Sequence, residues 1–166
     1  MAEKTLADAF HDMLRDVLYA ERQALRACKK SSKEAELPEL KQAFEQHAQE
    51  TEGQISRLEE IFDMIGKPAR AKTCEAMQGI VSEMQEDLDE YGGSPAADAV
   101  IIGCGQAIEH YEIARYGTLI SWANQLGYKD AAPLLQHTLA QEKNADKLLS
   151  TIAEKSANRT AKSKAA

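Results

Sequence analysis

The stretch "HAQETEGQ", residues 47–54, interrupts the apolar face of what is otherwise one long amphipathic helix. The apolar residues on either side follow helical spacing and are Leu40, Phe44, Leu58, Ile61 and Ile65. The same spacing, continued through the stretch, falls on three polar residues, with Glu50 beside them; these are His47, Thr51 and Gln54. The function of this segment therefore depends on what the rest of the chain places opposite these polar groups.

The composition favours helix throughout. The chain has 166 residues, of which 43% are hydrophobic and only 5% aromatic, and it is rich in strong helix formers such as Ala, Glu, Lys and Leu. A capping box at Thr5 and Asp8 predicts the start of a first long helix. A second is predicted from Pro38 to Gly66, a third up to Gly127 and a fourth after Asp130.

The connections between these helices predict the topology. The first and second helices, and the third and fourth, are joined by only a few residues, so each pair should form an antiparallel hairpin. Residues 67–94 connect the hairpins and contain a short amphipathic helix that ends at "GGSP", residues 92–95. We therefore predict an all-α fold, a ferritin-like four-helix bundle of two hairpins joined by a long crossover. The bundle should span residues 1–155 as one domain, followed by a flexible basic tail at 156–166.

Each of the four long helices carries a carboxylate where an apolar residue is expected. These residues are Glu21, Glu50, Glu112 and Glu142, and Asp146 follows on the fourth helix. The two carboxylates in each hairpin lie at similar distances from the turn, so all four should meet at one level of the bundle. In addition, Gln54 and Asp146 each follow a glutamate by four residues, which places both groups of each pair on one helix face.

Carboxylates that face one another in a low-dielectric core cannot all ionise without a neutralising group. They could be protonated, they could recruit Arg115 and Lys143, or they could bind metal cations. Oxygen-rich sites suit iron, manganese, magnesium or calcium better than copper or zinc. Four such residues on a bundle axis match the design in which glutamates hold a dinuclear metal centre.

Four segments of the chain resemble the YciF stress-protein family of the ferritin-like superfamily. They are "YAERQ" at 19–23, "HAQETEGQI" at 47–55, "EHYEIARYGT" at 109–118 and "QEKNAD" at 141–146. The resemblance extends from about residue 5 to residue 155 and implies a dimeric ferritin-like protein of the bacterial cytoplasm that is linked to stress survival. It also implies that Glu21, Glu50, Glu112 and Glu142 are ligands of a dinuclear centre, with Glu109 as an additional carboxylate.

The chain departs from the superfamily in its nitrogen ligands. The general pattern places a histidine three residues after the glutamate on the second and fourth helices. Here those positions are Gly53 and Ala145, and the nearest polar substitutes are Gln54 and Asp146. We therefore do not carry over ferroxidase or peroxidase activity. His47 and His110 could be ligands or could hydrogen bond to ligands.

Several classes of function are disfavoured. The formal net charge of −7 argues against a general nucleic-acid surface, and no apolar run approaches the length of a membrane span. The residues Cys28, Cys74 and Cys104 are odd in number and widely spaced, which favours small core residues in a reducing cytoplasm over a disulfide framework. The chain contains no motif typical of a catalytic nucleophile or a phosphate-binding loop.

The sequence therefore leads to one main hypothesis and two alternatives. The main one is a dimeric stress-response protein with a buried dinuclear site, most simply di-iron, that handles iron or reacts with oxygen or peroxide. The first alternative is a metal-free dimeric bundle whose polar layer fixes helix register and partner choice. The second is a nucleic-acid-associated protein acting through its basic tail.

Overall fold

The computed structural model describes residues 3–163, and this range is helical with no β-strand. The helices are α1 (Leu6–Glu34), α2 (Pro38–Met64), α3 (Glu75–Tyr91), α4 (Ala97–Leu126) and α5 (Ala131–Ile152), followed by a π-helical turn (Ala153–Ala157) and α6 (Asn158–Ser163). The four long helices α1, α2, α4 and α5 and the short α3 confirm the predicted element order.

Capping and turn residues begin or end three of the helices at the positions predicted from the sequence. The backbone N–H of Asp8 donates to the Thr5 hydroxyl at 3.2 Å, and the Thr5 N–H donates back to the Asp8 carboxylate at 2.9 Å, which completes the capping box. Pro38 is the first residue of α2, where its missing N–H has no helical partner to lose. Gly127 ends α4 with a φ of 75°, a left-handed conformation that glycine adopts without steric cost.

The long helices form a closed four-membered arrangement. Helix α1 packs against α2 and α4, and α5 packs against the same two partners from the opposite side. Helix α3 lies outside this square, mainly against α4 with a smaller contact to α1. The predicted ferritin-like bundle of two hairpins with a crossover is therefore confirmed.

The crossover is tied to the outside of the first hairpin. The Lys72 N–H donates to the Arg15 carbonyl at 3.1 Å, and Arg15 Nε donates to the Arg70 carbonyl at 3.1 Å. These two bonds hold the segment that precedes α3 along α1. Helix α3 then packs Met77, Met84 and Leu88 against one end of the core before the chain reaches the start of α4.

The core consists of two apolar clusters at opposite ends of the bundle. One contains Phe44, Ile101, Ile108 and Leu149, and the other contains Phe10, Leu58, Phe62, Leu119 and Leu135. Along every long helix, the residues between these two clusters include buried polar side chains. A polar layer therefore separates the two ends of the core.

Two parts of the chain differ from expectation. The helical structure continues through Ser163, and Ala157 is buried within the segment expected to be a flexible tail. The Ser156 hydroxyl donates to Glu39 at 2.9 Å, which attaches this segment to the start of α2. The bundle therefore does not end at residue 155. Residues 164–166 of the expected tail lie outside the described range.

The buried face of α4 also differs. A single helical stripe drawn through Ile101, Ile108 and Leu119 would also include Tyr111, Arg115 and Trp122. These last three residues are only half-buried, and Tyr116 and Ala123 lie in the core instead. The physical reason is that α3 covers a second side of α4, so that apolar residues on two faces of this helix are partly shielded from water.

Candidate metal centre

The polar layer brings together four glutamates and one histidine from all four long helices. Each side chain is at most 5% exposed, and the residues are Glu21 on α1, His47 on α2, Glu109 and Glu112 on α4, and Glu142 on α5. Ionisable side chains are buried this deeply only when they are paired, protonated or bound to a metal. The layer is therefore a candidate metal centre.

His47 contacts carboxylates through both ring nitrogens. Its Nε2 atom lies 3.1 Å from Glu109 Oε1 and 3.3 Å from Glu142 Oε2, and its Nδ1 atom lies 3.2 Å from Glu50 Oε2. Ligand atoms of His47, Glu109 and Glu142 all lie within 4.8 Å of one another. These three residues could hold a metal ion, with one imidazole nitrogen and two carboxylate groups as donors.

Two hydrogen bonds orient carboxylates of the layer. The Tyr116 hydroxyl donates to Glu21 Oε1, and the Gln54 amide donates to Glu142 Oε1. Tyr116 and Gln54 are both fully buried. Each bond fixes one oxygen of a carboxylate and leaves the second oxygen available to another partner.

Several buried polar atoms in the layer have no hydrogen-bond partner within the described chain. They are Glu21 Oε2, Glu109 Oε2 and both carboxylate oxygens of Glu112. Leaving such atoms unsatisfied is energetically costly, and native structures rarely do so without a reason. Oxygens of this kind are the donors that a metal ion such as iron or manganese binds, so the residues present fit a metal.

Burial and mutual repulsion shift the titration of these groups. Burial, followed by the charge of Glu142, raises the pKa of Glu21 to about 8. Burial also raises the pKa values of Glu109 and Glu112 well above their usual range, and neighbouring carboxylates add to the effect. Without a cation, the layer therefore holds protons at neutral pH.

The pKa of His47 is also raised, but for a different reason. Burial disfavours its charged form, but hydrogen bonds to Glu109, Glu142 and Glu50 outweigh burial and raise the pKa of His47 above its usual value. The same contact to His47 lowers the pKa of Glu50. A protonated imidazole thus supplies the positive charge in the metal-free layer, a role that we had considered for Arg115 and Lys143.

Those two cations lie elsewhere. The Arg115 guanidinium lies over the Tyr111 ring, 5.1 Å from its centroid, and Lys143 is exposed. A different arginine approaches the layer from α2, where Arg57 Nε donates to Thr138 at 3.0 Å. Arg57 also donates to Gln141, so it borders the layer without binding a glutamate.

The seven candidate ligands predicted from the sequence lie at different distances from the buried layer. Glu21, Glu109, Glu112 and Glu142 lie in the buried layer, and Gln54 touches it through Glu142. Glu50 lies at its edge with 27% of the side chain exposed and reaches the layer through His47. Asp146 lies farther out, where its Oδ1 accepts from Gln106 at 2.9 Å and lies 3.2 Å from Nε2 of the exposed His110.

The roles of two residues of the site were not predicted from the sequence. His47 occupies the core-facing spacing of α2, yet that spacing did not decide between ligand and hydrogen-bond partner. Tyr116 was not considered, although it lies four residues after Glu112 and three before Leu119, on the same face of α4. The interval of four from Glu112 is the signal that could have identified it.

The four-helix bundle with this inward-facing carboxylate and histidine layer defines a ferritin-like protein. Comparison with known sequences gives the family. Residues 5–162 match the family described as a domain of unknown function (DUF892), and the chain belongs to this family.

The chain is also similar to proteins with curated sequences and solved structures. It is 40% identical to protein YciF of Escherichia coli strain K12, over 99% of this chain and all of that protein. It is 38% identical to the crystal structure of the Escherichia coli stress protein YciF, with a TM-score of 0.88 over 94% of this chain and 99% of that one. YcfI from Rhodopseudomonas palustris, for which a structural role has been suggested, is 39% identical with a TM-score of 0.87, over 90% of this chain and 96% of that one.

The fold extends to more distant proteins. A structure from Xanthomonas campestris pv. campestris has a TM-score of 0.75 over 97% of this chain and 99% of that one, at 21% identity. At this identity the likeness shows the fold alone. Within residues 3–163, we find no helix with the length and apolar character that a membrane crossing requires.

Proposed function

We propose that this protein is a ferritin-like metalloprotein of the bacterial stress response, with a dinuclear centre in its polar layer. Iron is the first candidate metal and manganese the second, because both accept mixed carboxylate and imidazole ligands. Glu21, Glu109, Glu112 and Glu142 would hold the metals together with His47. Following the family resemblance, we propose that it acts as a homodimer in the cytoplasm.

One observation carries this proposal: four buried carboxylate oxygens in one layer lack hydrogen-bond partners within the described chain. A layer designed only for helix register would be expected to satisfy its polar atoms internally. The two unpartnered oxygens of Glu112 are especially informative, because this residue is 1% exposed and three other carboxylates, those of Glu21, Glu109 and Glu142, surround it.

The contribution of the chain to such a centre follows from its hydrogen bonds. Tyr116 and Gln54 each hold one oxygen of a glutamate and thereby orient the other oxygen toward the layer. The carboxylate of Glu50 would accept a hydrogen bond from the Nδ1–H group of neutral His47. The Nε2 atom would then keep its lone pair for a metal. A bound iron pair would supply redox chemistry with oxygen or peroxide.

Metal content tests the proposal directly. Protein prepared under anaerobic conditions with excess ferrous iron, and separately with manganese, is desalted and its metal is quantified by elemental analysis. We expect about two metals per chain. The variants Glu112→Gln and Glu142→Gln keep the side-chain size but remove a charged ligand, so both should lose most of the metal.

Glu45→Gln is the matched control, since Glu45 lies on the exposed side of α2 and the substitution removes the same charge. It should retain the full metal content. Wild-type protein without stoichiometric metal in either preparation would refute the proposal.

A metal-free dimeric bundle with a structural or interaction role is the second candidate. One observation favours it: protonated His47, in contact with Glu109, Glu142 and Glu50, already offsets part of the negative charge. Under this alternative, His47→Gln should weaken folding stability while metal content stays at background. Loss of stoichiometric metal in the same variant supports the metal centre instead.

A further inference from the structure

A cavity of about 70 Å³ lies between α2 and α5 and reaches the polar layer from outside. Its inner wall includes His47, Glu50 and Glu109, and its outer rim carries the amide side chains of Gln46 and Asn144. Leu148, whose side chain is exposed at 41%, also lines it. The cavity therefore connects the surface of the bundle with the residues proposed to bind metal.

Most of the wall between rim and layer is apolar. Phe44 contributes from α2, and Ala145 and Leu149 contribute from α5. Two of the lining positions, Ala43 and Ala145, are small residues on facing helices, and a larger side chain at either would occupy the space. Apolar walls of this kind disfavour ions, which lose hydration there, and accept small neutral molecules.

The volume limits what can enter. A water molecule needs a cavity of only about 10–15 Å³, whereas an apolar cavity of about 150 Å³ holds benzene or xenon. The cavity found here has about half of that larger volume. It therefore has room for a molecule of two or three atoms but excludes one of the size of benzene.

We propose that the α2–α5 cavity admits a small neutral ligand of the size and polarity of dioxygen to the metal centre. This inference rests on the proposed function, because it assigns the cavity to the same layer. Ala145 is the residue that keeps the passage open, since it lies three positions after Glu142 on the same helix face.

Xenon serves as the first probe, because it is neutral, apolar and visible in crystals under pressure. Metal-free wild-type protein should show xenon between Phe44 and Ala145. Ala145→Leu should lose it, and Ala145→Val gives the same test with a smaller added side chain. Ala140→Leu is the matched control, because Ala140 is an exposed residue of the same helix, and it should retain the xenon site.

Nitric oxide serves as the second probe, as a diatomic ligand of ferrous iron. Its binding to iron-loaded protein should be slower in Ala145→Leu than in Ala140→Leu, at equal metal content. An empty cavity in xenon-pressurised wild-type crystals would overturn the inference, as would equal nitric oxide binding rates in the two variants.

The two proposals can fail separately. A protein that binds two metals but no xenon contradicts only the passage, since metal content and xenon occupancy are measured independently. Xenon binding in a protein that takes up no metal contradicts the proposed function, and with it the assignment of the cavity as a passage to a metal.

Discussion

At the scale of the residue, His47 determines how the polar layer balances its charge. Its two nitrogens contact three glutamates from α2, α4 and α5, so one imidazole joins three of the four helices of the bundle. A metal bound to Nε2 requires the neutral form of this ring, and the protonated form opposes it. Protons and a metal would therefore compete for the same site.

The pH dependence of the stability of metal-free protein follows from the raised pKa values of the layer. In metal-free protein the pKa of Glu21 is raised from its ordinary value to about 8, so the folded state binds a proton that the unfolded state releases. Its contribution to stability is present below about pH 4.5 and is lost as the pH rises to about 8. The pKa of His47 is also raised in the folded state. Its contribution to stability therefore begins to fall once the pH exceeds about 6.5, the pKa of histidine in the unfolded chain.

We therefore expect metal-free protein to become less stable between pH 5 and pH 8, measured by urea unfolding at several pH values. Glu21→Gln should flatten this dependence, because the amide does not titrate. The exposed-site variant Glu45→Gln should leave it unchanged. A stability that rises over this pH range would contradict the assignment of raised pKa values to the layer.

Much of this residue-level picture was accessible from the sequence. Glu21, Glu112 and Glu142 were predicted from helical spacing alone, because an acidic residue on a core-facing position is conspicuous. The roles of His47 and Glu50 required the structure: spacing places both near the layer, but only the packing of α4 and α5 decides that His47 is buried and Glu50 lies at the edge. Tyr116 escaped notice because an aromatic core residue is ordinary.

At the scale of the element, one carboxylate joins the two hairpins outside the polar layer. Asp98, in the first turn of α4, accepts from the N–H groups of Glu36 at 2.8 Å and Leu37 at 2.9 Å. These residues form the turn between α1 and α2, and no side chain caps the start of α2 itself. Asp98 therefore stabilises a turn that is distant from it in sequence.

We expect Asp98→Ala to lower the free energy of unfolding by about 2–3 kcal/mol, because it removes two hydrogen bonds to a charged acceptor and leaves two donors unpaired. Thermal or urea unfolding measures this loss. Asp89→Ala, on the exposed side of α3, should change stability by no more than about 0.5 kcal/mol. Equal effects of the two substitutions would contradict the role assigned to Asp98.

Helix boundaries were predictable, whereas the faces of the helices were less so. Thr5, Pro38 and Gly127 act locally, through capping and backbone conformation, and each marked its boundary in the sequence. The buried face of α4 depends on which helices surround it. Because α3 packs on this helix in addition to α1 and α5, its apolar residues do not form the single stripe that a sequence pattern assumes.

At the scale of the whole molecule, metal binding should stabilise the fold. A ligand present at a hundredfold excess over its dissociation constant adds about 2.7 kcal/mol, which corresponds to a rise of about 5–10 °C in Tm for a chain of this length. We expect ferrous iron or manganese to produce such a shift in scanning calorimetry. Glu112→Gln should abolish it, and an unchanged Tm in wild-type protein at saturating metal would contradict the proposed centre.

The polar layer also divides the apolar core into two clusters that do not merge. In most small domains one continuous core makes unfolding a single cooperative event. Here the two clusters are separate, so in metal-free protein we expect one end of the bundle to open while the other stays closed. A metal that bridges the four helices would couple the two halves, so the bound ion would set the cooperativity of the molecule as well as its chemistry. Loss of the ion under stress would then lower the stability of both halves of the bundle.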